Sequence, residues 1–335
     1  MNKSFLHKLS YLIIVVAMLS FATACEEEET FQWAQGTPPS TETPGNGNNE
    51  GENGGDNGEN NENNNGGENT GNNSGGDNVG STVVSNAYTR RLETPALKGG
   101  NYFIYHNTKV GTDSVMTYCY EYDPQKQHSR WIAFRFDSKT RTKNVSRTDA
   151  WSDDPKLPSH CHIGTRGFSG YDRGHICASA DRLYSRNANE QTFYMSNMSP
   201  QLSKFNQNYW VTFEGHVQEL GRNSSFADTL YVVKGGTIED NQILTYVERD
   251  NGTRVAVPQY YFMALLKVKN NVYTAIAFWA DHKANTKNAT ISDMQKTAIT
   301  IDELEKKTGI DFFHNLPDAA ESVVESQITL SAWNL

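Results

Sequence analysis

The sequence predicts an α+β fold for residues 81–335. Runs of alternating, β-branched or aromatic residues indicate separated strands, and two longer stretches carry apolar residues at helical spacing. Two of the strand patterns are joined through Lys269-Asn270-Asn271, which is typical of a β-hairpin. Hairpins combined with separated helices favour an α+β arrangement. No internal repeat and no second low-complexity segment interrupts these residues, so we expect one domain.

Five segments have the composition of β-strands. They are Arg130–Phe136, Thr192–Ser196, Thr229–Lys234, Gln259–Lys267 and Val272–Trp279. A helix is predicted over Asn206–Leu220, where large apolar side chains recur at helical spacing, and Gly221 is expected to end it. A second helix is predicted to begin near Ser292 and to end before Gly309, because its apolar residues fall on one side.

The N-terminus has the pattern of an export signal. Lys3 and Lys8 precede an apolar run over residues 11–21, which ends in small residues before Cys25. The run is too short for a membrane span, so residues 1–24 are predicted to be a signal peptide. Its end resembles a bacterial lipobox, which implies that Cys25 becomes an acylated N-terminus and anchors the chain in a membrane. Cleavage of an ordinary signal peptide is the alternative.

Residues 25–80 are predicted to form a disordered tether. Four glutamates follow Cys25, and from about residue 37 nearly every side chain is polar, acidic or absent. So few apolar groups cannot offset the entropy of ordering the chain. An acidic run after a lipidated cysteine resembles the surface-export signal of Bacteroidetes lipoproteins, which implies an outer-membrane lipoprotein at the cell surface. A solvated spacer in a periplasmic or secreted protein is the alternative.

The net charge of −9 comes from the N-terminal part of the chain. Residues 1–80 hold 12 of the 39 acidic and 2 of the 30 basic side chains, so 27 acidic and 28 basic side chains remain in residues 81–335. The folded part is therefore close to neutral. Any attraction for phosphate is expected to be local rather than spread over a basic surface.

The most informative segment for chemistry is Tyr171-Asp172-Arg173-Gly174-His175. A histidine supplies a base near neutral pH, an arginine supplies a fixed cation for phosphate, and a glycine allows close backbone approach. These are the requirements of phosphodiester hydrolysis. A surface loop with a charged pair is the alternative reading of these residues taken alone.

Two further boxes follow at short distance. Ser196-Asn197 precedes Pro200-Gln201, and then Phe205-Asn206 precedes Trp210, with Glu214 further along. The three boxes, in this order, resemble the DNA/RNA non-specific endonuclease family, which includes the Serratia extracellular nuclease and mitochondrial endonuclease G. The resemblance covers roughly residues 85–320.

The resemblance implies a ββα-metal core within a larger antiparallel sheet flanked by helices. His175 would be the general base that deprotonates the attacking water, and Asn206 would be the one direct protein ligand of Mg²⁺, for which Mn²⁺ can substitute. The implied reaction is endonucleolytic hydrolysis of DNA and RNA to 5′-phosphate ends. Activity is expected to rise with pH through the titration of His175, since an unperturbed histidine has a pKa of about 6.5.

The same resemblance assigns supporting roles to three residues. Arg173 would contact phosphate, and Asn197 would orient the substrate or the catalytic strand; a turn residue is the alternative for Asn197. In a regular helix, the eight residues from Asn206 to Glu214 correspond to about 12 Å of rise and about 80° of rotation. Glu214 is therefore expected to act through metal-bound water, and a solvated helix-face glutamate is the alternative.

An upstream arginine completes the implied site. The segment from Arg147 to Pro155 resembles the family's arginine, aromatic residue and Asp-Pro ahead of the histidine box. Arg147 is the candidate for a phosphate contact, with Arg141 as the alternative because Asp149 occupies the position nearer the aromatic residue. Asp172 is expected to be structural or to partner a nearby cation.

The remaining cysteines and histidines match no motif. Three cysteines of the folded part can form at most one disulfide, and they lack the CxxC spacing of a structural zinc site: Cys119, Cys161 and Cys177. Three histidines are expected to be surface or core residues: His160, His162 and His216.

Two other functions remain open from the sequence. One is a surface lipoprotein that binds nucleic acid without cutting it, against which the intact His175 and Asn206 argue. The other is a phosphodiesterase for small nucleotides, whose site residues would look the same.

Overall fold

The computed structural model describes residues 87–283 and 287–335. These residues belong to one compact unit. The predicted signal peptide (1–24), Cys25 and the predicted tether (25–80) lie outside the described residues. Within the described part of the chain, no helix is both long and apolar enough to cross a membrane.

A seven-stranded antiparallel sheet is the framework of the fold, with the strand order β1-β2-β3-β6-β9-β10-β11. Two further antiparallel pairs, β4-β5 and β7-β8, lie outside it. In chain order the strands of the described residues are β1 (Tyr102–Val110), β2 (Asp113–Asp123), β3 (His128–Phe136), β4 (Asp172–His175), β5 (Met198–Gln201), β6 (Thr229–Gly236), β7 (Ile243–Glu248), β8 (Arg254–Pro258), β9 (Tyr260–Lys269), β10 (Val272–Asp281) and β11 (Ala298–Ile299).

The helices lie between and after these strands. They are α1 (Arg186–Gln191), α2 (Val211–Arg222), α3 (Ile291–Thr297), α4 (Ile301–Thr308) and α5 (Asp318–Glu325). A π-helical turn over Phe205–Trp210 leads directly into α2, so the helix predicted over Asn206–Leu220 is present but begins irregularly. This mixture of one large antiparallel sheet and flanking helices is the α+β fold that the sequence predicts.

Both faces of the large sheet are covered. On one face, the side chains of alternate residues such as Tyr120 and Phe134 pack in one cluster with Phe213 and Val217 of α2. On the other face, the neighbouring residues pack in a second cluster with the apolar side chains of α4 and α5. Because both faces are covered, β2 and β3 are buried along nearly their whole length, including polar residues such as Glu121 and His128.

The predicted hairpin between the two long C-terminal strands is confirmed. Lys269 of β9 pairs with Val272 of β10, and Asn270 and Asn271 form the two-residue loop. Both asparagines have positive φ, 50° and 60°. A type I′ loop requires this conformation at both positions, and asparagine tolerates it better than most residues.

The prediction of a strand over Thr192–Ser196 is wrong. This segment contains a turn and the start of a short 3₁₀ helix, Met195–Asn197, and the strand begins only at Met198. Tyr194 makes one isolated bridge, with Ser152. The side chain of Asn197 donates a hydrogen bond back to the carbonyl oxygen of Thr192, which curls the segment instead of extending it.

Of the two glycines predicted to follow helix ends, Gly309 does so and Gly221 does not. Gly221 does not end its helix, because α2 continues to Arg222. A Cβ at Gly221 would overlap the ring of Phe136, so this glycine allows α2 to approach the sheet. Gly309 does follow the end of α4, where it adopts a left-handed conformation with φ of 61°.

The helix predicted from Ser292 to the residue before Gly309 is interrupted. α3 ends at Thr297, and the two residues of β11 pair with β10 before α4 begins. Thr290 and Thr300 each accept a hydrogen bond in a capping box, so each starts a separate helix. The apolar spacing is continuous through the break, and it therefore could not indicate where the first helix stops.

Candidate active site

The three sequence boxes meet in a β-hairpin followed by a helix. β4 pairs with β5 so that Gly174 lies opposite Ser199 and His175 opposite Met198. A short link then leads from β5 into the π turn and α2. Gly174 is required by this packing, because a Cβ there would overlap the side chain of Gln201, which is itself fully buried.

Asn197 holds the end of β4 in place. Its Oδ1 accepts from the Cys177 backbone N–H at 2.8 Å, while its Nδ2 donates to the carbonyl oxygens of Cys177 at 2.8 Å and Thr192 at 2.6 Å. The side chain is completely buried. These contacts agree with a role of Asn197 in positioning the strand that carries His175.

His175 lies in an aromatic surrounding. Its ring meets Phe193 edge to face, with 5.0 Å between centroids, and lies 5.6 Å from Trp151. Its Nε2 is buried and has no hydrogen-bond partner among the described residues. Burial, together with the charges of Arg147, Arg173 and Lys234, lowers the pKa of His175 to about 3.

This lowered pKa corrects the expected titration of His175. The imidazole is neutral throughout the range around pH 7, so the activity is not expected to rise through a histidine pKa of about 6.5. In a neutral imidazole, one of the two ring nitrogens can accept a proton.

Two arginines bring positive charge close to His175. The guanidinium of Arg173 lies over the Trp151 ring, 3.6 Å from its centroid, and donates to the carbonyl oxygen of Thr165 at 2.7 Å. Arg147 lies over Phe193 at 4.7 Å and also contacts Asp149. Both guanidinium groups remain partly exposed, so they are accessible to an anion.

The structure distinguishes the two candidates for the upstream arginine. Arg141 donates to the backbone carbonyl oxygens of Asp137, Ala227 and Asp228 and thereby joins loops. Arg147, in contrast, shares Phe193 as a packing partner with His175. The arginine that lies at the site is therefore Arg147.

Asn206 is connected to the histidine strand through Asp172. The Nδ2 of Asn206 donates to Asp172 Oδ2 at 3.0 Å, and Ser203 and Gln207 donate to the same carboxylate. Burial raises the pKa of Asp172, but these hydrogen bonds outweigh it and hold the pKa below its usual value. Asp172 therefore remains an anion that accepts hydrogen bonds from the start of the helix.

The π turn changes the relation between Asn206 and Glu214. The N–H of Val211 reaches the carbonyl oxygen of Asn206, five residues back, so this turn contains one residue more than a regular turn. Because the extra residue adds no net rotation, the angle between Asn206 and Glu214 about the helix axis is about −20° instead of about 80°. Asn206 and Glu214 therefore lie on nearly the same side of the helix, although they remain well separated along it.

Glu214 belongs to a buried group of charges. Its Oε1 lies 3.7 Å from the Nζ of Lys234, which also donates to Asp181 Oδ2 at 2.8 Å. Burial raises the pKa of Glu214 to about 7; Lys234 acts in the opposite direction and Asp181 adds to the rise. The solvated helix-face alternative for Glu214 is excluded, since only 13% of its side chain is exposed.

Lys234 and Asp181 were not predicted as site residues. Both side chains are fully buried or nearly so. The positive charge of Lys234 also helps to lower the pKa of His175. A lysine in an otherwise apolar strand is a signal in the sequence, because lysine is almost never buried unless it is paired. No comparable signal marks Asp181.

The side-chain oxygens at this site are of the kind that Mg²⁺ prefers. A carboxylate can only accept hydrogen bonds, so Asp172 must take the amide nitrogen of Asn206, and the carbonyl oxygen Oδ1 is directed elsewhere. Within the described residues, no group of three His, Cys, Asp or Glu side chains converges here. One amide oxygen beside the half-buried carboxylate of Asp172 is compatible with an ion that retains most of its water.

The remaining cysteines and histidines have structural surroundings. Cys119, Cys161 and Cys177 are buried and free. His162 and His216 are half-buried and contact backbone carbonyl oxygens, whereas His160 is exposed. These positions agree with the expectation of surface or core residues.

Together, the fold and the site place a histidine-bearing hairpin and a helix on a large antiparallel sheet. The sequence profile of the DNA/RNA non-specific endonuclease family matches residues 98–319, more than half of the chain. The chain belongs to this family.

Similar proteins from distant organisms carry the name nuclease. A nuclease from Nostoc sp. is 29% identical over 66% of this chain and 81% of its own length. The mitochondrial endonuclease G of Bos taurus is 27% identical over 63% of this chain and 71% of its own length. These relatives support nuclease activity of this chain.

A solved structure also has this fold. The crystal structure of the EndoG/EndoGI complex, described for the mechanism of EndoG inhibition, superposes with a TM-score of 0.50 and 19% sequence identity. The match covers 64% of this chain and 88% of that chain. At this identity, the likeness establishes the fold.

Proposed function

We propose that this protein is a Mg²⁺-dependent endonuclease that hydrolyses DNA and RNA to 5′-phosphate ends, with His175 as the general base. The observation that carries the proposal is the buried, unpartnered Nε2 of a neutral His175. It lies on the strand whose Asp172 contacts Asn206. A base and an oxygen ligand are thus held by one short strand.

His175 would accept the proton of the attacking water. A general base with the correct geometry and protonation state typically accelerates such a step by about 10²–10⁴-fold. The ring packs against Phe193 and Trp151, and these contacts limit its rotation. Arg173 and Arg147 would bind the phosphate as partly exposed cations.

Asn206 would hold the metal ion through Oδ1, and Mn²⁺ could take the place of Mg²⁺. When bound, the ion would stabilise the charge that develops on the phosphate and on the leaving 3′ oxygen. Glu214 would order water beside the ion from the same side of the helix. Asn197 would keep β4 in register and would not touch the substrate.

Cleavage should depend little on the base sequence of the substrate. The contacts available from Arg147 and Arg173 are to phosphate, and such contacts carry no base information and weaken with salt. A long duplex should therefore yield a continuous distribution of fragments, at a rate that falls as the salt concentration rises. A set of discrete fragments would contradict this.

The deciding experiment is digestion of plasmid DNA and of RNA with and without EDTA, beside a small phosphodiester such as bis(p-nitrophenyl) phosphate. We expect both polymers to be cut, EDTA to stop cleavage, and Mg²⁺ or Mn²⁺ to restore it. Cleavage of the small diester alone would indicate a phosphodiesterase for small nucleotides. Binding of DNA without cleavage would indicate a nucleic-acid-binding lipoprotein instead.

We further propose export and lipid anchoring through Cys25, with the active domain at the surface of the outer membrane. The support is the sequence pattern of residues 1–29. Cys25→Ser should release the protein from membranes or leave it unprocessed, and unchanged membrane partitioning would contradict lipidation. Protease treatment of intact cells tests the side of the membrane, since full protection would exclude a surface location.

A further inference from the structure

Three acidic side chains converge on the face of the large sheet opposite α2. Asp302 and Glu305 lie on α4, and Glu325 is the last residue of α5. One carboxylate oxygen from each residue lies within 4.8 Å of the other two. These helices pack in the apolar cluster of the far face, so the group is separate from the hairpin and helix of the nuclease site.

Glu325 is the unusual member of this group. Only 4% of the residue is exposed, and its Oε1 is buried without a hydrogen-bond partner among the described residues. A buried carboxylate oxygen without a partner costs free energy, because its hydration is lost and nothing replaces it. One oxygen of the Glu325 carboxylate lies within 4.8 Å of an oxygen of Asp302 and of Glu305, so the side chain is directed into the group.

The surrounding residues do not neutralise these charges. In the described parts of the chain, no lysine, arginine or histidine forms an ion pair with Asp302, Glu305 or Glu325. Glu305 accepts one hydrogen bond, from the N–H of Phe312 at 2.8 Å. The charges of Glu321 and Asp311 act on the same group.

The position of Glu325 on its helix makes its negative charge still less favourable. Glu325 lies at the C-terminal end of α5, where the helix dipole disfavours an anion. Glu321 and Glu325 are four residues apart on one helix, and like charges at this spacing repel. Burial, followed by the neighbouring carboxylates, raises the pKa of Glu325 to about 9 and that of Glu305 to about 7.

We propose that Asp302, Glu305 and Glu325 bind one Ca²⁺ ion. Two oxygens bound to one Ca²⁺ at about 2.3–2.6 Å lie at most about 5.2 Å apart, so a spacing within 4.8 Å is compatible with a shared ion. Ca²⁺ accepts several carboxylates in flexible geometry, whereas Mg²⁺ usually takes one or two and keeps its water. The ion would supply the missing partner of Glu325 Oε1 and would tie the end of α5 to α4.

The site is expected to serve stability and not the cleavage reaction. It joins two helices that pack against the sheet from the face opposite α2. Sites of this kind in extracellular proteins bind Ca²⁺ with dissociation constants of about 10⁻⁴–10⁻³ M. At a tenfold excess over such a constant, the Tm should rise by about 3–6 °C.

The test uses the full chain carrying Asn206→Ala, which removes the proposed ligand of the active-site ion. Bound Ca²⁺ is measured by equilibrium dialysis with ⁴⁵Ca²⁺, and the Tm is measured in parallel with and without Ca²⁺. We expect one bound Ca²⁺ per chain and a Ca²⁺-dependent rise in Tm. Adding Glu325→Gln should abolish both, while Mg²⁺ at the same concentration should be less effective.

The matched control is Asp318→Asn, which removes one negative charge from the first turn of the same helix. This variant should bind Ca²⁺ as its parent does. Asp302→Asn, on the other helix, is the second variant, and it should weaken binding even if Glu325→Gln fails to fold. The proposal is overturned if the parent binds no Ca²⁺, or if Glu325→Gln or Asp302→Asn binds it unchanged.

Discussion

Asn206 donates a hydrogen bond from Nδ2 to Oδ2 of Asp172 at 3.0 Å, and this contact joins the start of the helix to the strand that carries His175. Asp172 can only accept, so the contact determines which end of the amide faces it. Ser203 and Gln207 donate to the same carboxylate and limit its movement. Asp172 therefore orients the proposed metal ligand without needing to bind the ion.

Asp172→Asn should increase the concentration of Mg²⁺ needed for half-maximal activity by about 10–100-fold, the usual effect of losing a group that orients a ligand. An asparagine at this position can donate as well as accept, so the Asn206 amide loses its fixed orientation. Activity at saturating Mg²⁺ should recover substantially. Measured Mg²⁺ titrations of plasmid cleavage test this, and an unchanged midpoint would exclude the orienting role.

His175→Ala should reduce the turnover of plasmid DNA by on the order of 100-fold or more, because the general base is lost. DNA binding should persist, since Arg147 and Arg173 remain. Turnover and binding are measured separately, by digestion and by fluorescence anisotropy in EDTA. His160→Ala is the matched control, because His160 is exposed and should leave both unchanged. Wild-type digestion by His175→Ala at saturating Mg²⁺ would refute the mechanism.

The pH dependence should report Glu214 and not His175. Burial lowers the pKa of His175 to about 3, so the base is neutral above that pH. Burial raises the pKa of Glu214 to about 7, so its carboxylate forms only as the pH rises through that value. Activity should therefore increase between about pH 6 and 8, where the carboxylate becomes able to order water.

Glu214→Gln separates these two titrations. It should lower activity at pH 8 and remove the rise near pH 7, leaving a flatter profile between pH 5 and 9. The measurement is the initial rate of plasmid cleavage in buffers of constant ionic strength. Persistence of the same rise in Glu214→Gln would mean that another group titrates there.

Gly174→Ala should destabilise the fold by about 1–3 kcal/mol, because the new methyl group would overlap the fully buried side chain of Gln201, which would have to shift. Gly215→Ala is the opposite case. Gly215 lies within α2 with open space around its Cα, so the substitution should stabilise the helix by about 0.5–1 kcal/mol. Urea unfolding of both variants checks the difference in sign.

Lys234→Met should destabilise the protein by about 3–5 kcal/mol, because it leaves Asp181 and Glu214 buried without their cation. Lys269→Met removes a lysine from an exposed pair with Asp228 and should cost much less stability, because water screens an exposed pair. Adding Asp181→Asn to Lys234→Met should restore part of the loss. Equal losses for the two lysine variants, measured by urea unfolding, would contradict a structural role for the buried pair.

The long strands and the hairpin loop could be predicted because their signals are local. β-branched and aromatic runs persist wherever the strand is placed in the sheet, and Asn270-Asn271 favours a tight loop by its own backbone preference. Thr192–Ser196 has a similar composition but does not form a strand. Asn197, which follows it, bonds to its backbone and to Cys177, so a contact outside the segment decides its conformation.

The sequence by itself determined the family, through three ordered boxes that include His175, Asn197 and Asn206, since each box depends only on residue type and spacing. Only the tertiary structure decided that Arg147 and not Arg141 lies beside His175, and that Lys234 and Asp181 support Glu214. It also decided the pKa of His175, which is lowered chiefly by burial. Burial and electrostatic fields depend on residues brought together from distant parts of the chain, and no local pattern contains that information.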